Sequence, residues 1–115
     1  MTYSYIIPHI PQSNNKFIGR TNYREYQACK KAWATLVRTY CKPVPPEPIA
    51  RSVVTLSYCF GDGRRRDPDN YSGKMILDGL VKAGIIKDDS FGVIDLILRR
   101  VGGNKAQTEI TVEEK

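Results

Sequence analysis

Four of the seven residues in the stretch 42–48, KPVPPEP, are proline. Each ring fixes φ, removes a backbone donor and pushes the residue before it out of the helical region. No regular structure is therefore expected until about Ile49, and the sequence changes period across the break. Before it, Tyr26, Cys29, Trp33, Leu36, Val37 and Tyr40 recur at helical spacing and form one apolar stripe. Thr21 or Asn22 can cap that helix, and Glu25 stands in its first turn, where the helix dipole favours an acid. Arg24, Lys30, Lys31 and Arg38 occupy the opposite face. After the break, Val54, Leu56, Tyr58 and Phe60 alternate with Val53, Thr55, Ser57 and Cys59, which is the period of a strand.

The remaining segments follow the same logic. Residues 2–7, TYSYII, read as a strand, and PHIPQSNNKFIGR after them as a loop. A second helix is expected over about 71–83, with Ile76, Leu77, Leu80 and Val81 buried, Lys82 in the last turn and Gly84 just past the end. IIKDDS is a short connector. Residues 91–101 are rich in β-formers, and GGNK leads to a cleanly alternating segment, Ala106, Thr108, Ile110 and Val112 against Gln107, Glu109, Thr111 and Glu113. These two segments are expected to pair as a terminal hairpin, ending in a frayed tail. The order β-α-β-α-β-β predicts an α+β fold, a mixed β-sheet covered by two helices.

With 115 residues the chain fits one domain around a single core. No stretch is long and apolar enough to span a membrane, and the start carries no leader pattern, so a cytoplasmic protein is expected. Three cysteines without a CxxC pair suit neither a disulfide framework nor a zinc site. His9, the only histidine, lies in a proline-flanked loop and receives no role. The formal net charge of +6 favours a polyanionic partner, chiefly nucleic acid, although charge alone does not identify one.

Its distribution is more informative. Residues 61–70 read GDGRRRDPDN, three arginines running into two aspartates held one residue apart. An extended chain at Pro68 would point Asp67 and Asp69 to the same side. Two carboxylates that close repel unless a cation lies between them, and either the arginines 64, 65 and 66 or a divalent metal could supply it. Oxygen-only ligands suit Mg²⁺ or Mn²⁺, whose coordination is completed by water and substrate phosphate. Asp88 and Asp89 follow the second helix, and a connector of six residues can just return along a helix of roughly 20 Å to join the first pair. Lys74, one turn inside that helix, could neutralise a phosphate oxygen or leaving group. Together these residues suggest metal-assisted phosphodiester hydrolysis. In the plainer alternative, Asp67 and Asn70 are turn and cap residues and Asp69 pairs with an arginine.

RRRDPDN, the lysine that follows and LDGLVKAGIIKDDS resemble the RusA-type Holliday junction resolvases. IPQSNNKF resembles the proline-rich segment after the first strand of that family, so the likeness reaches both ends of the chain. It implies Asp67, Asp69 and Asp89 as catalytic and metal-binding acids, with Asp88 as the alternative third ligand and Lys74 as the catalytic-site lysine. Here NYSG sets Lys74 five residues after Asp69, where the family pattern has four. Arg64, Arg65 and Arg66, with Asn14, Asn15 and Lys16, are the implied DNA contacts. The implied protein is a homodimer that cuts four-way junctions with Mg²⁺, and the exposed aromatics Tyr3, Tyr5 and Tyr23 are candidates for its interface. A related nuclease acting on flaps or forks, or a non-catalytic DNA-binding module, would share much of this pattern.

Overall fold

The computed structural model describes residues 1–17 and 23–115. In chain order the elements are strand β1 (Thr2–Ile7), helix α1 (Tyr23–Tyr40), strand β2 (Ser52–Cys59), helix α2 (Lys74–Lys82) and strands β3 (Ile94–Arg100) and β4 (Gln107–Glu114). Short 3₁₀ turns at Asn14–Phe17 and Pro68–Asn70 lie in the two long loops. This is the expected α+β order. The proposed cap of α1 at Thr21 or Asn22 lies outside the described residues. Among those described, no helix is long and apolar enough to cross a membrane.

The terminal hairpin does not form. The four-stranded sheet has the order β1-β4-β2-β3. β4 inserts antiparallel between β1 and β2, and β3 lies on the far side of β2, parallel to it. The alternation of β4 explains the preference. Thr108, Ile110 and Val112 are all fully buried and need apolar neighbours on both sides, which an edge hairpin with β3 would not provide. The register gives them those neighbours: Ile110 lies between Tyr5 and Leu56, and Val112 between Tyr3 and Val54. The row continues across β2 to Leu98, opposite Leu56. A one-residue slip would turn every one of these side chains to the other face.

Both helices cover this face, and their packing depends on missing side-chain atoms. Gly79 of α2 sits against α1, where a Cβ would come within 2.8 Å of the Val37 side chain. Val37 is fully buried, with Trp33 and Ala34 on the same stripe. Tyr40, placed on that stripe by its spacing, is 41% exposed, and Cys41 is buried in its place. α2 begins at Lys74, three residues later than its pattern suggests, because Gly73 adopts φ 80° and turns the chain into the helix. A Cβ at 73 would lie 2.2 Å from a Leu56 methyl, so only glycine fits there. At the other end Gly84 has φ 77°, and the N–H groups of Gly84 and Ile85 donate to the carbonyls of Val81 and Leu80. That pairing is the Schellman closure expected of a glycine after the helix.

Tyr5 is not an exposed aromatic. It is 4% exposed, and its hydroxyl donates to the Pro43 carbonyl at 2.8 Å, while desolvation raises its pKa to about 12. Replacing Gly79 by alanine gains up to about 1 kcal/mol of helix propensity but forces a methyl into Val37. Overpacking typically costs about 1–3 kcal/mol, so Gly79→Ala is expected to lower stability by about 1 kcal/mol or more. The shift of the urea midpoint checks this.

Candidate nuclease site

The loop 61–70 leaves the C-terminal end of β2, and its shape is set by one carboxylate. Asp62 accepts two hydrogen bonds from Arg66, at 2.5 and 3.1 Å, and one from the Arg64 backbone N–H. Arg100, at the end of β3, donates to the carbonyls of Asp62 and Arg64, both at 2.7 Å. The two parallel strand ends are thereby tied together through the loop. The Arg66 guanidinium lies 4.3 Å from the centre of the Phe60 ring and that of Arg100 5.1 Å from it. Phe60 in turn meets Tyr71 edge-on at 5.0 Å.

The arginine run is therefore divided by function. Arg66 is a packed residue, its side chain only 21% exposed. Arg65 is 89% exposed and reaches Asp67 at 3.3 Å. Arg64 lines, with Arg65, Arg66, Asp67, Asn70, Tyr71 and Ser13, an open cleft of about 310 Å³. Cationic groups and one of the sequence-predicted acids thus share a concave surface, which suits an anionic strand.

Asp67 and Asp69 are not displayed by an extended chain. Asp67 has β-region geometry (φ −101°, ψ 136°), but Pro68–Asn70 is a 3₁₀ turn closed by the Asn70 N–H onto the Asp67 carbonyl. A proline φ suits the first position of a helical turn as well as an extended segment, and here the turn prevails. The plainer reading of Asp67 and Asn70 as turn residues describes the backbone here, although Asp67 makes no side-chain cap. Both carboxylates remain exposed, and their hard oxygen donors suit a divalent cation completed by water and phosphate.

The connector does not bring the second acidic pair back to the first. Ile86 bridges to Ile49 in parallel, the Lys87 N–H donates to the Ile49 carbonyl, and the Ser52 N–H donates to that of Val93. These bonds hold residues 86–93 at the N-terminal end of β2. Asp67 and Asp69 lie beyond its C-terminal end, and eight strand residues span roughly 25 Å. Accordingly, no three His, Cys, Asp or Glu side chains among the described residues are grouped to hold a metal ion. Within the second pair, Asp88 is held below the usual carboxylate range by hydrogen bonds from the Asp89 backbone N–H and the Ser90 side chain.

Lys74 is the first residue of α2 rather than one turn inside it, and its side chain is exposed. With Asn14, Gln12 and Tyr71 it lines a small groove beside the loop. Asn14 is a brace: its Nδ2 donates to the Asp69 carbonyl and the Ser72 hydroxyl, both at 3.1 Å. Lys16 is exposed in the same turn, and the side chain of Asn15 is not among those described.

Asp62 and Arg100 escaped the sequence reading because neither stands in a motif. The one signal was the glycine on each side of Asp62, marking a tight loop. Asp62 is depressed to about 2, chiefly by the Arg66 hydrogen bonds and then by the Arg64 N–H. A depressed carboxylate contributes above its unfolded value, near 4, and that contribution is lost as pH falls through the folded value. The loop should therefore stay clamped at pH 4. A carboxyl ¹³C titration of Asp62 with its midpoint near 4 would contradict the clamp.

Comparison with known proteins places the chain in a family. A search of curated proteins gives no match. The family model of endodeoxyribonuclease RusA matches residues 7–113, nearly the whole chain and all of the elements that build the loop. The chain belongs to the RusA family of endodeoxyribonucleases.

Proposed function

We propose that this protein resolves four-way DNA junctions as a homodimer, by hydrolysis that depends on Mg²⁺ or Mn²⁺. The observation that carries the reading, beyond family membership, is the cleft in which arginines 64, 65 and 66 meet Asp67. Arg64 and Arg65 hold the backbone of the incoming strand. Asp67 and Asp69 would hold the cation, and Arg65, paired with Asp67 at 3.3 Å, is exposed enough to turn to a phosphate instead. When bound, the metal supplies an activated water and neutralises charge gathering on the phosphate. Lys74, at the mouth of α2, balances charge on the leaving oxygen.

Asp89 joins such a site only from a second copy of the chain. Its loop is fixed at the far end of β2, so the third acid of one protomer meets Asp67 and Asp69 of its partner. Phe91, two residues away and fully exposed, offers an apolar ring for a neighbouring subunit to cover. A two-fold dimer with two such shared sites also matches the near two-fold symmetry of a four-way junction.

In a gel assay with Mg²⁺, the protein should cut a synthetic four-way junction and leave linear duplex intact, and EDTA should stop the reaction. Cutting of flaps or forks in preference would reassign the substrate. Asp67→Asn or Asp69→Asn should lower the rate by roughly 10² or more, with junction binding retained or tightened because a negative charge is gone. A differently tagged heterodimer tests the sharing. In Asp67→Asn paired with Asp89→Asn, both substitutions fall in one shared site and the other site is intact. That species should nick one strand of each junction, whereas each homodimeric variant is inactive. An inactive heterodimer would place the three acids within one chain.

A further inference from the structure

We propose that the cleft behind Asp67 is a pocket for one unstacked nucleobase of the DNA, held by stacking beside the strand whose phosphate lies among the arginines. This inference rests on the nuclease reading and adds a recognition element to it. The cleft is shallow and half open to solvent, lined by Tyr58, Phe60, Tyr71 and Leu98, with Pro68, Arg66, Arg99 and Arg100 at its walls. It shares Arg66, Asp67 and Tyr71 with the arginine-lined cleft, so the two open on a common rim. One is aromatic and the other cationic, which are the two surfaces that a base and its own phosphate require.

The chemistry of the walls favours a base over another small apolar group. Phe60, Tyr58 and Tyr71 form a ring cluster with centroids 5.0 to 6.0 Å apart. Guanidinium groups flank it, and rings and guanidinium planes both stack on bases. The donors of Arg66 and Arg100 are already engaged by Asp62 and by loop carbonyls, leaving these side chains to act through their planes. One wall residue carries an unpaired polar atom. Tyr58 is 3% exposed, yet its hydroxyl has no hydrogen-bond partner among the described residues. Buried hydroxyls are nearly always paired, and a base edge carries both donors and acceptors. The hydroxyl lies beside Gly73, where a Cβ would approach it to 3.2 Å.

A branch point is where such a pocket would act. In an open junction the bases at the crossover have lost a stacking neighbour, and withdrawing one of them costs less there than within a duplex. The pocket would fix which phosphate enters the acid site, giving the enzyme a positional preference that phosphate contacts cannot supply.

The test is a binding cycle in EDTA, which prevents cutting, on four-way junctions carrying a single abasic residue at successive positions around the crossover. At one position per symmetric half, the missing base should weaken wild-type binding roughly tenfold, within the range of base–aromatic stacking. Phe60→Leu should weaken binding of the intact junction by a similar factor and be indifferent to the abasic residue at that position. Phe60→Trp, which keeps a ring, should retain the sensitivity, and thermal melts of both variants establish that they fold. If the effects of Phe60→Leu and the abasic residue simply add at every position, the pocket is refuted while the nuclease reading stands. If wild-type protein does not bind the junction at all, both fall together.

Discussion

The insertion of β4 between β1 and β2 is the constraint on which the rest of this structure depends. With both edges of β4 occupied, β3 joins on the free side of β2, and there it runs parallel. A parallel neighbour requires a crossover, and α2 with its two loops provides it. The crossover decides where the chemistry lies. The loop that enters α2 carries Asp67 and Asp69, and the loop that leaves it carries Asp88 and Asp89. They stand at opposite ends of β2 because a crossover must return the chain to the start of a parallel neighbour.

Much of this was legible in the sequence, and the failures have physical causes. The proline break, both helices, all four strands and the glycine closure of α2 follow from local pattern, because each records which side chains must be buried or which φ a residue can adopt. Pairing is not local. The alternation of residues 106–113 said that one face of the strand is buried, and that is equally true beside β3 or between β1 and β2. Proximity along the chain favoured the hairpin, whereas burial of Thr108, Ile110 and Val112 favoured the insertion. Pro68 misled in a similar way, since its φ belongs to both an extended segment and the first position of a 3₁₀ turn.

The candidate site was legible as a list of residues more than as a geometry. Arg64, Arg65 and Asp67 share a cleft as their adjacency suggested. Arg66 looked like its neighbours in sequence but is a structural residue, drawn inward by Asp62 and Phe60. Asn14, expected as a DNA contact, braces the loop, a role its motif did not suggest. No spacing rule distinguishes these cases, because what separates them is the position of Asp62 and Arg100, residues 38 apart in the chain.

The grip of Asp62 on Arg66 has a consequence for how tightly a polyanion can be held. A free arginine loses considerable rotamer freedom when it docks, and that loss opposes binding. Arg66 and Arg100 lose theirs when the protein folds, so the ordering of that wall is complete before any strand arrives. Arg65, nearly free in solvent, carries the opposite property. It can follow a moving phosphate through the reaction, which a rigid guanidinium could not. One loop thus offers a fixed surface and a mobile hand within three residues.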